Sequence, residues 1–554
     1  MARLAITVGN RRIGWGDRLS SSPMSSLQDL KCPGLDRERR VRALLGMAVN
    51  ASTPQDVLLC LACDRRAAGA MALSRAGFPE GVAEALLSLG DREVTRNLAH
   101  NAATPVPIRW QLARDRDPDT RAAAAQGNIT NGLGIPGATV PLNLLRELAG
   151  DPNPEVRARV AGNRFVPDEV RVWLAHDPDP QVREAVAGSR WQIPEPVYRR
   201  LLTDPDPTVR VKAISSWNPP PPADLHPALL ADPATRREAL PYVTLTAEQA
   251  TALVAELINR LHRDQVPDAD LAMVGTLVNH PDIPRAILEP LLDSPDPFAR
   301  GMARSTMILR RDTPEPMRAR LHAEFLGPNP DDKADLDDQQ LDERWVAFEM
   351  GRLRLATAWM ERWPLDWLKR APVAERATYV DSPYPCFRRA VAAVGDLPEE
   401  LEQRLLHDTD AEVRRIVVRR NHVLPEAAVE RVIVECGNNH KIIPRLEDHP
   451  SLTVRAFERF AMAPEVRLRR IATHHRDLPP VLVARLAADP DASVRRGAAK
   501  HRNLPVALLP ALLTDDDLDV VEAVGGNPGM PVTWMRELVA TVPAPAPVQP
   551  VRPA

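Results

Sequence analysis

The sequence predicts an all-α fold, an α-solenoid built from short helical pairs. Three observations predict it: a motif recurring at a nearly fixed period, apolar residues at helical spacing around each recurrence, and prolines placed between the apolar runs. Val-Arg or its equivalent recurs with its valine at Val156, Val182 and Val209, 26 and 27 residues apart, and again at Val466, Val494 and Val520, 28 and 26 apart. A period of this size marks units that stack because none can bury its apolar face alone.

Each unit reads as helix, turn, helix. The first helix carries apolar residues at helical spacing, as in Val156 and Val160 or Val494 and Ala498. The second opens on a proline near its first position: after Pro167 come Val170, Trp173 and Leu174, and after Pro505 come Leu508, Leu509 and Leu512. About nine residues at roughly 1.5 Å rise make a helix of only ~13 Å. Helices that short are unstable alone in water, so each must be held by its neighbours.

Charge repeats with the same rhythm. Asp36 and Arg42, Asp115 and Arg121, Asp151 and Arg157, Asp177 and Arg183, Asp204 and Arg210, Asp408 and Arg414, and Asp489 and Arg495 all stand six residues apart. The aspartate precedes the first helix, where a carboxylate caps exposed backbone N–H groups. The arginine falls in that helix's first turn, where a planar guanidinium can bridge the aspartate of its own or the adjacent unit. A catalytic constellation occurs once; seven copies predict a structural ladder. At the end of the array Asp515 is followed six residues later by Val521, as expected of a terminal capping unit.

Aspartate followed six residues on by arginine, after a proline-bearing helix, resembles the ladder of HEAT repeats. The short period with the pattern VRxxVAxN…P…LLxxLAxD resembles the bacterial leucine-rich repeat variant. The resemblance covers most of residues 36–326 and 386–540 and implies the fold, while such solenoids serve many partners. A cysteine-rich iron–sulfur domain that can precede leucine-rich repeat variant units is not carried over, because Cys32, Cys60 and Cys63 are one short of four ligands.

Composition agrees with an array. Among 554 residues, 44% are hydrophobic but only 4% aromatic, which suits small helices packed closely, and 56 are proline. Net charge is −3, giving no overall field for nucleic acid or an anionic membrane. Only six of the 71 basic residues are lysine, a bias that matches a GC-rich bacterial genome, so arginine number alone is no phosphate-binding signal. Five irregularly spaced cysteines fit a reducing cytoplasm, and neither a signal peptide nor a membrane span is visible.

The organisation expected is an N-terminal extension (1–35), an N-terminal repeat solenoid (36–326), an acidic insertion with a Trp-rich helical linker (327–385), a C-terminal repeat solenoid (386–540) and a disordered Pro-rich tail (541–554). In the extension, LAITVGNRRIGW could form a hairpin over Gly9-Asn10 or remain an unstructured leader. In the insertion, seven acids lie between residues 327 and 345 against Lys333 and Arg344. The aromatic stretch that follows places Trp359 and Trp363 on one helix face, with Pro364 ending that helix before Trp367. These tryptophans are either a core plug between solenoid halves or an exposed hot spot for a partner.

No HExxH, P-loop, nucleotide-binding glycine fingerprint or GxSxG is present. Cys60 and Cys63 read as core thiols, and Cys436, His440, His474 and His475 are too irregularly spaced to predict a zinc site. Residues 386–513 hold 21 Lys and Arg against 17 Asp and Glu. Arg419 and Arg420, Arg469 and Arg470, and Lys500 and Arg502 recur there in successive first helices as a candidate ridge, or as a solvated face. The expectation is a non-enzymatic scaffold for protein–protein interaction, without cofactor or metal, whose partner-binding candidates are these six cations and the three tryptophans. The alternative is a nucleic-acid-binding solenoid; some HEAT-like arrays are alkylpurine DNA glycosylases, which need a basic groove with aromatics and a carboxylate.

Overall fold

The computed structural model describes residues 5–8, 11–14, 32–126, 140–163, 165–189, 193–214, 218–262, 266–326, 338–360, 364–436 and 446–540. The acidic stretch 327–337, Trp363, Gly9-Asn10 and the Pro-rich tail lie outside them. The chain divides into two compact units, Met1–Asn218 with Thr453–Ala554, and Pro219–Leu452. Near the N-terminus, β1 (Ala5–Val8) pairs antiparallel with β2 (Arg11–Gly14), Ile6 opposite Ile13, so the hairpin reading of this segment holds.

The first unit opens with α1 (Arg37–Val49), α2 (Gln55–Leu61), α3 (Arg65–Ser74), α4 (Val82–Ser88), α5 (Arg92–His100) and α6 (Val106–Leu112). It continues with α7 (Pro118–Gln126), α8 (Leu142–Ala149), α9 (Pro154–Ala161), α10 (Asp168–Leu174), α11 (Pro180–Ala187), α12 (Glu195–Leu202) and α13 (Pro207–Ala213). Odd-numbered helices are the first of each pair. Several begin with proline after an Asp or Asn cap: Asp179 accepts from the N–H of Gln181, and Asp206 from that of Thr208. The motif valines Val156, Val182 and Val209 are fully buried.

The second unit holds α14 (His226–Ala231), α15 (Arg236–Ala239), α16 (Ala247–Leu261), α17 (Asp268–Asn279), α18 (Arg285–Leu288), α19 (Pro297–Leu309) and α20 (Glu315–Leu326). After these come α21 (Asp338–Thr357), α22 (Asp366–Arg370), α23 (Val373–Ala377), α24 (Pro385–Ala392), α25 (Glu399–Leu406), α26 (Ala411–Arg420) and α27 (Glu426–Cys436). Here α17, α19, α21, α24 and α26 are stacked in that order. At 20 residues α21 is long for this fold, and it approaches α19 closely: a Cβ on Gly301 would lie 2.5 Å from the carbonyl oxygen of Ala347.

The chain then returns to the first unit as α28 (Val454–Ala461), α29 (Val466–Ala472), α30 (Pro480–Leu486), α31 (Ala492–Lys500), α32 (Leu509–Leu513), α33 (Leu518–Gly525) and α34 (Val532–Val539). The terminal unit is not an exposed cap, contrary to the sequence expectation. Helix α33 packs directly on α1, so first helices stack in the order α29, α31, α33, α1, α3, α5, α7, α9, α11, α13. Glycines set the spacing: a Cβ on Gly46 would lie 2.0 Å from the Glu522 carbonyl, and one on Gly525 2.2 Å from that of Ala43. Arg42, expected beside Asp36, reaches Glu522 across this joint at 2.9 Å.

Candidate functional site

The ladder joins neighbouring units. Arg183 donates through Nε and Nη2 to both oxygens of Asp204 at 2.7 and 2.8 Å, and through Nη1 to the main-chain carbonyl of Asp177 at 2.8 Å. Asp204 in turn accepts the N–H of Asp206, fixing the turn ahead of α13. The same bidentate geometry links Arg121 to Asp151, Arg157 to Asp177, Arg388 to Asp408, Arg469 to Asp489 and Arg495 to Asp515. The carboxylate partner is thus the adjacent unit's, and the unit's own residue six positions back supplies only a carbonyl. Burial alone would raise the Asp204 carboxyl, but Arg183 and the N–H of Asp206 outweigh it and hold it below the ordinary value.

A second ladder lies just past the first helices, at the N of VRxxVAxN or, for Asn218, two residues beyond it. Asn101 donates its side-chain N–H groups to the carbonyls of Ala72 and Arg75, Asn163 to Ala125, Asn218 to Ala187 and Asn527 to Ala499. Each satisfies carbonyls left open at the end of the preceding unit's helix. Arg310 does the same toward Val278 and His280. His501 takes the position against His475; its Nδ1 accepts the N–H of Asn503, which leaves the proton on Nε2, 2.9 Å from the carbonyl. The asparagine recurs in the pattern VRxxVAxN, but the arginine and histidine that stand in for it do not show as a recurrence; all of them carry structure.

The tryptophans separate. Trp367 donates its Nε1–H to the Leu309 carbonyl at 2.9 Å and stacks edge-on to Tyr379 and Phe387, so most of its ring is committed inside the unit. Trp359 is half-buried in the turn after α21. What α21 turns outward is an apolar face absent from the candidates read in the sequence. Trp345 is 45% exposed, Val346 40%, Leu353 56% and, in the turn beyond the helix, Met360 62%. Phe348 and Leu355, also seven apart, are the buried stripe of the same helix.

The recurring cations are unequal. Arg469, expected to stand beside the ladder, is a ladder arginine: it donates to the Ala463 carbonyl six residues back and pairs with Asp489. The buried motif position in α29 is therefore Leu468, 26 residues before Val494, while Val466 is 38% exposed. Arg420 donates to the Ala392 carbonyl and pairs with Glu402 at 2.6 Å. Arg419 and Arg470 are half-buried, and Lys500 and Arg502 are exposed. The six do not recur at one place in each unit.

Cys60 and Cys63 are half-buried rather than core thiols, because α2 ends at Leu61 and Cys63 falls in the following turn. Among the described residues no group of three or more His, Cys, Asp or Glu could hold a metal ion, and no helix is long and apolar enough to cross a membrane. His440 and the Cys436 side chain lie outside the described residues.

The residues define a helical repeat protein, an α-solenoid whose turns are joined by two polar ladders. No protein-family model matches the chain, and no curated protein matches it. Among solved structures it is similar to an engineered protein at 15% identity, over 79% of this chain and 99% of that one, with a TM-score of 0.17. It is also similar to the karyopherin Kap121p at 12% identity, over 80% of this chain and 45% of that one, TM-score 0.16. Kap121p bound to the SUMO protease Ulp1p matches at 12% identity over 84% and 49%, TM-score 0.18. The chain thus spans less than half the length of Kap121p.

Proposed function

We propose that this chain is a non-enzymatic repeat scaffold that binds another protein, and that α21 is where it does so. The observation supporting this reading is the outward face of α21 and of the turn beyond it, where Trp345, Val346, Leu353 and Met360 are each at least 40% exposed. Soluble proteins bury such rows unless something covers them, and aromatic and methionine side chains are over-represented where a partner does. The acids and arginines of the ladders are spent on one another, which removes the most abundant candidate chemistry from reaction with a substrate. Trp359, in the turn after α21, belongs to the proposed contact surface; the exposed Lys500 and Arg502, in the first unit, are proposed as a separate contact, and Trp363 lies outside the described residues. A cytoplasmic setting and kinship with the leucine-rich repeat variant are part of the same proposal, resting on cysteine usage and on the repeat motif.

The test is capture from native lysate on immobilised full chain, with nuclease treatment, comparing wild type with the double variant Leu353→Glu, Met360→Glu. A protein retained by the wild type and lost by a variant of unchanged melting temperature supports the reading. Equal retention by both, or material released by nuclease, refutes it.

A further inference from the structure

The first helices α9, α11 and α13 border an open groove of about 820 Å³ lined by Arg159, Gly162, Glu184, Gly188, Ser189 and Lys212. Its charges are spare. The arginines of these same helices that could have filled it, Arg157, Arg183 and Arg210, are turned to the ladder. Among the described residues the one ion pair of Arg159 is with the exposed Glu155 at 3.7 Å, a contact of little energetic weight. Lys212 is exposed, makes no ion pair among the described residues, and lays its stem along Gly188, where an added Cβ would meet Lys212 Cε at 2.4 Å. Gly162 and Gly188, 26 residues apart, remove side chains from the floor at the same place in consecutive units.

The field here is positive at both ends and negative in the middle, with Glu184 on α11 between Arg159 on α9 and Lys212 on α13. Beyond α9 the positive end is not extended: on α5, Arg96 is paired with Asp117 and Asp119, and burial, then the charges of Arg159 and Arg96, hold the His100 imidazole below its ordinary value and so uncharged near neutral pH. Neighbouring helices lie roughly 8–10 Å apart. An extended peptide advances about 3.3 Å per residue, so about three residues span one unit and about six span the distance from Arg159 to Lys212.

We infer that this groove seats an extended acidic peptide, with carboxylates about six residues apart on Arg159 and Lys212 and a neutral or basic residue midway, facing Glu184. The inference rests on the reading of the chain as a protein-binding scaffold and gives that scaffold a second, chemically defined seat. A nucleic acid strand fits less well. It carries a negative charge at every nucleotide and so must place charge near Glu184, whereas a peptide can leave that position uncharged.

The experiment is selection of random twelve-residue peptides on the full chain, followed by fluorescence anisotropy with the selected peptides and with single-stranded DNA. Expected are two acidic positions about six apart with a non-acidic residue between them. Lys212→Glu and Arg159→Glu should each weaken binding by about tenfold or more. Glu184→Lys should shift the selection toward an acid in the middle, a change that mere damage to the fold would not produce. Circular dichroism should be unchanged, since all three side chains lie off the ladder. Peptides selected without acidic spacing, or a pattern indifferent to Glu184→Lys, overturn the seat; if such peptides are lost on Leu353→Glu, the scaffold reading survives without it. DNA bound more tightly than peptide and released by Lys212→Glu also overturns the seat, in favour of phosphate.

Discussion

The side-chain amide of Asn50 donates to the main-chain carbonyl of Asn527 at 2.8 Å, joining residues 477 apart by the link that elsewhere joins consecutive units. Asn527 continues the chain of contacts to Ala499 and His501. Solenoid ends usually need polar caps; here α1 and α33 cover one another, with Arg536 and Asp56 pairing beside them at 2.9 Å. The first and last repeats are therefore structural neighbours, and each end of the sequence contributes to the stability of the other.

Gly525→Val should test that dependence. Its Cβ would lie 2.2 Å from the Ala43 carbonyl, main chain that cannot swing aside, so α33 and α1 must separate. The expected cost is about 1–3 kcal/mol, as for overpacking elsewhere. Urea denaturation reads the loss, and a cysteine pair placed across α1 and α33 should cross-link in the wild type and poorly in the variant. Unchanged stability and cross-linking would show that the two helices do not meet in solution.

Arg183→Ala leaves Asp204, whose side chain is 1% exposed, without its guanidinium and strips the Asp177 carbonyl of its donor. Removing one partner of a buried pair costs about 3–5 kcal/mol. The double variant Arg183→Ala, Asp204→Ala should lose less than the sum of the two single changes, because it leaves no orphaned charge. Additive losses in chemical denaturation would mean the pair is not coupled.

How far this could be read from the sequence depends on which atom does the bonding. The ladder was legible where the residue six positions back is itself an aspartate, as with Asp177 and Arg183, although the atom that accepts there is its main-chain carbonyl. It was missed at Arg388 and Arg469, because the acceptor six residues back is a carbonyl that Ser382 and Ala463 supply as well as aspartate does. Aligning on Val-Arg put the α29 register on Val466-Arg467 in place of Leu468-Arg469. The outward face of α21 was hidden for a different reason: Val346 and Leu353 repeat every seven residues, but so do Phe348 and Leu355, and periodicity cannot say which stripe is covered. Closure of the first unit left only the missing arginine at Val521, which reads equally well as a free end.

Acid should loosen the first unit through Asp151, Asp177 and Asp204. Burial alone would raise each carboxyl, but Arg121, Arg157 and Arg183 with a turn N–H outweigh it and hold all three below the ordinary value. A depressed folded pKa means the unfolded chain takes up protons first. The stabilisation is therefore complete above the ordinary aspartate value of about 3.9 and is lost as pH falls through the folded values. Melting temperature should stay level from about pH 7 to 5 and drop below about pH 4. Asp204→Asn should melt lower at neutral pH and show a shallower acid drop; a variant parallel to wild type across that range would remove Asp204 from the effect.

Nucleic acid should bind weakly, because the basic residues of the C-terminal half are mostly engaged within the protein. Arg469 is held by Asp489, and Arg420 by Glu402 and the Ala392 carbonyl, so reversing either charge should lower stability before it reports on binding. Lys500 and Arg502 are exposed and are the clean probes. Binding through phosphate contacts would release counterions and fall steeply with salt, and without a continuous ridge it should remain in the non-specific range of about 10⁻⁴ to 10⁻⁶ M at physiological salt. Lys500→Glu with Arg502→Glu should leave that weak affinity within about twofold in a fluorescence anisotropy titration, since two charges at one end of the helix give no track along the strand. Submicromolar binding that this double change abolishes would make the exposed cations a nucleic-acid interface and displace the protein-binding reading.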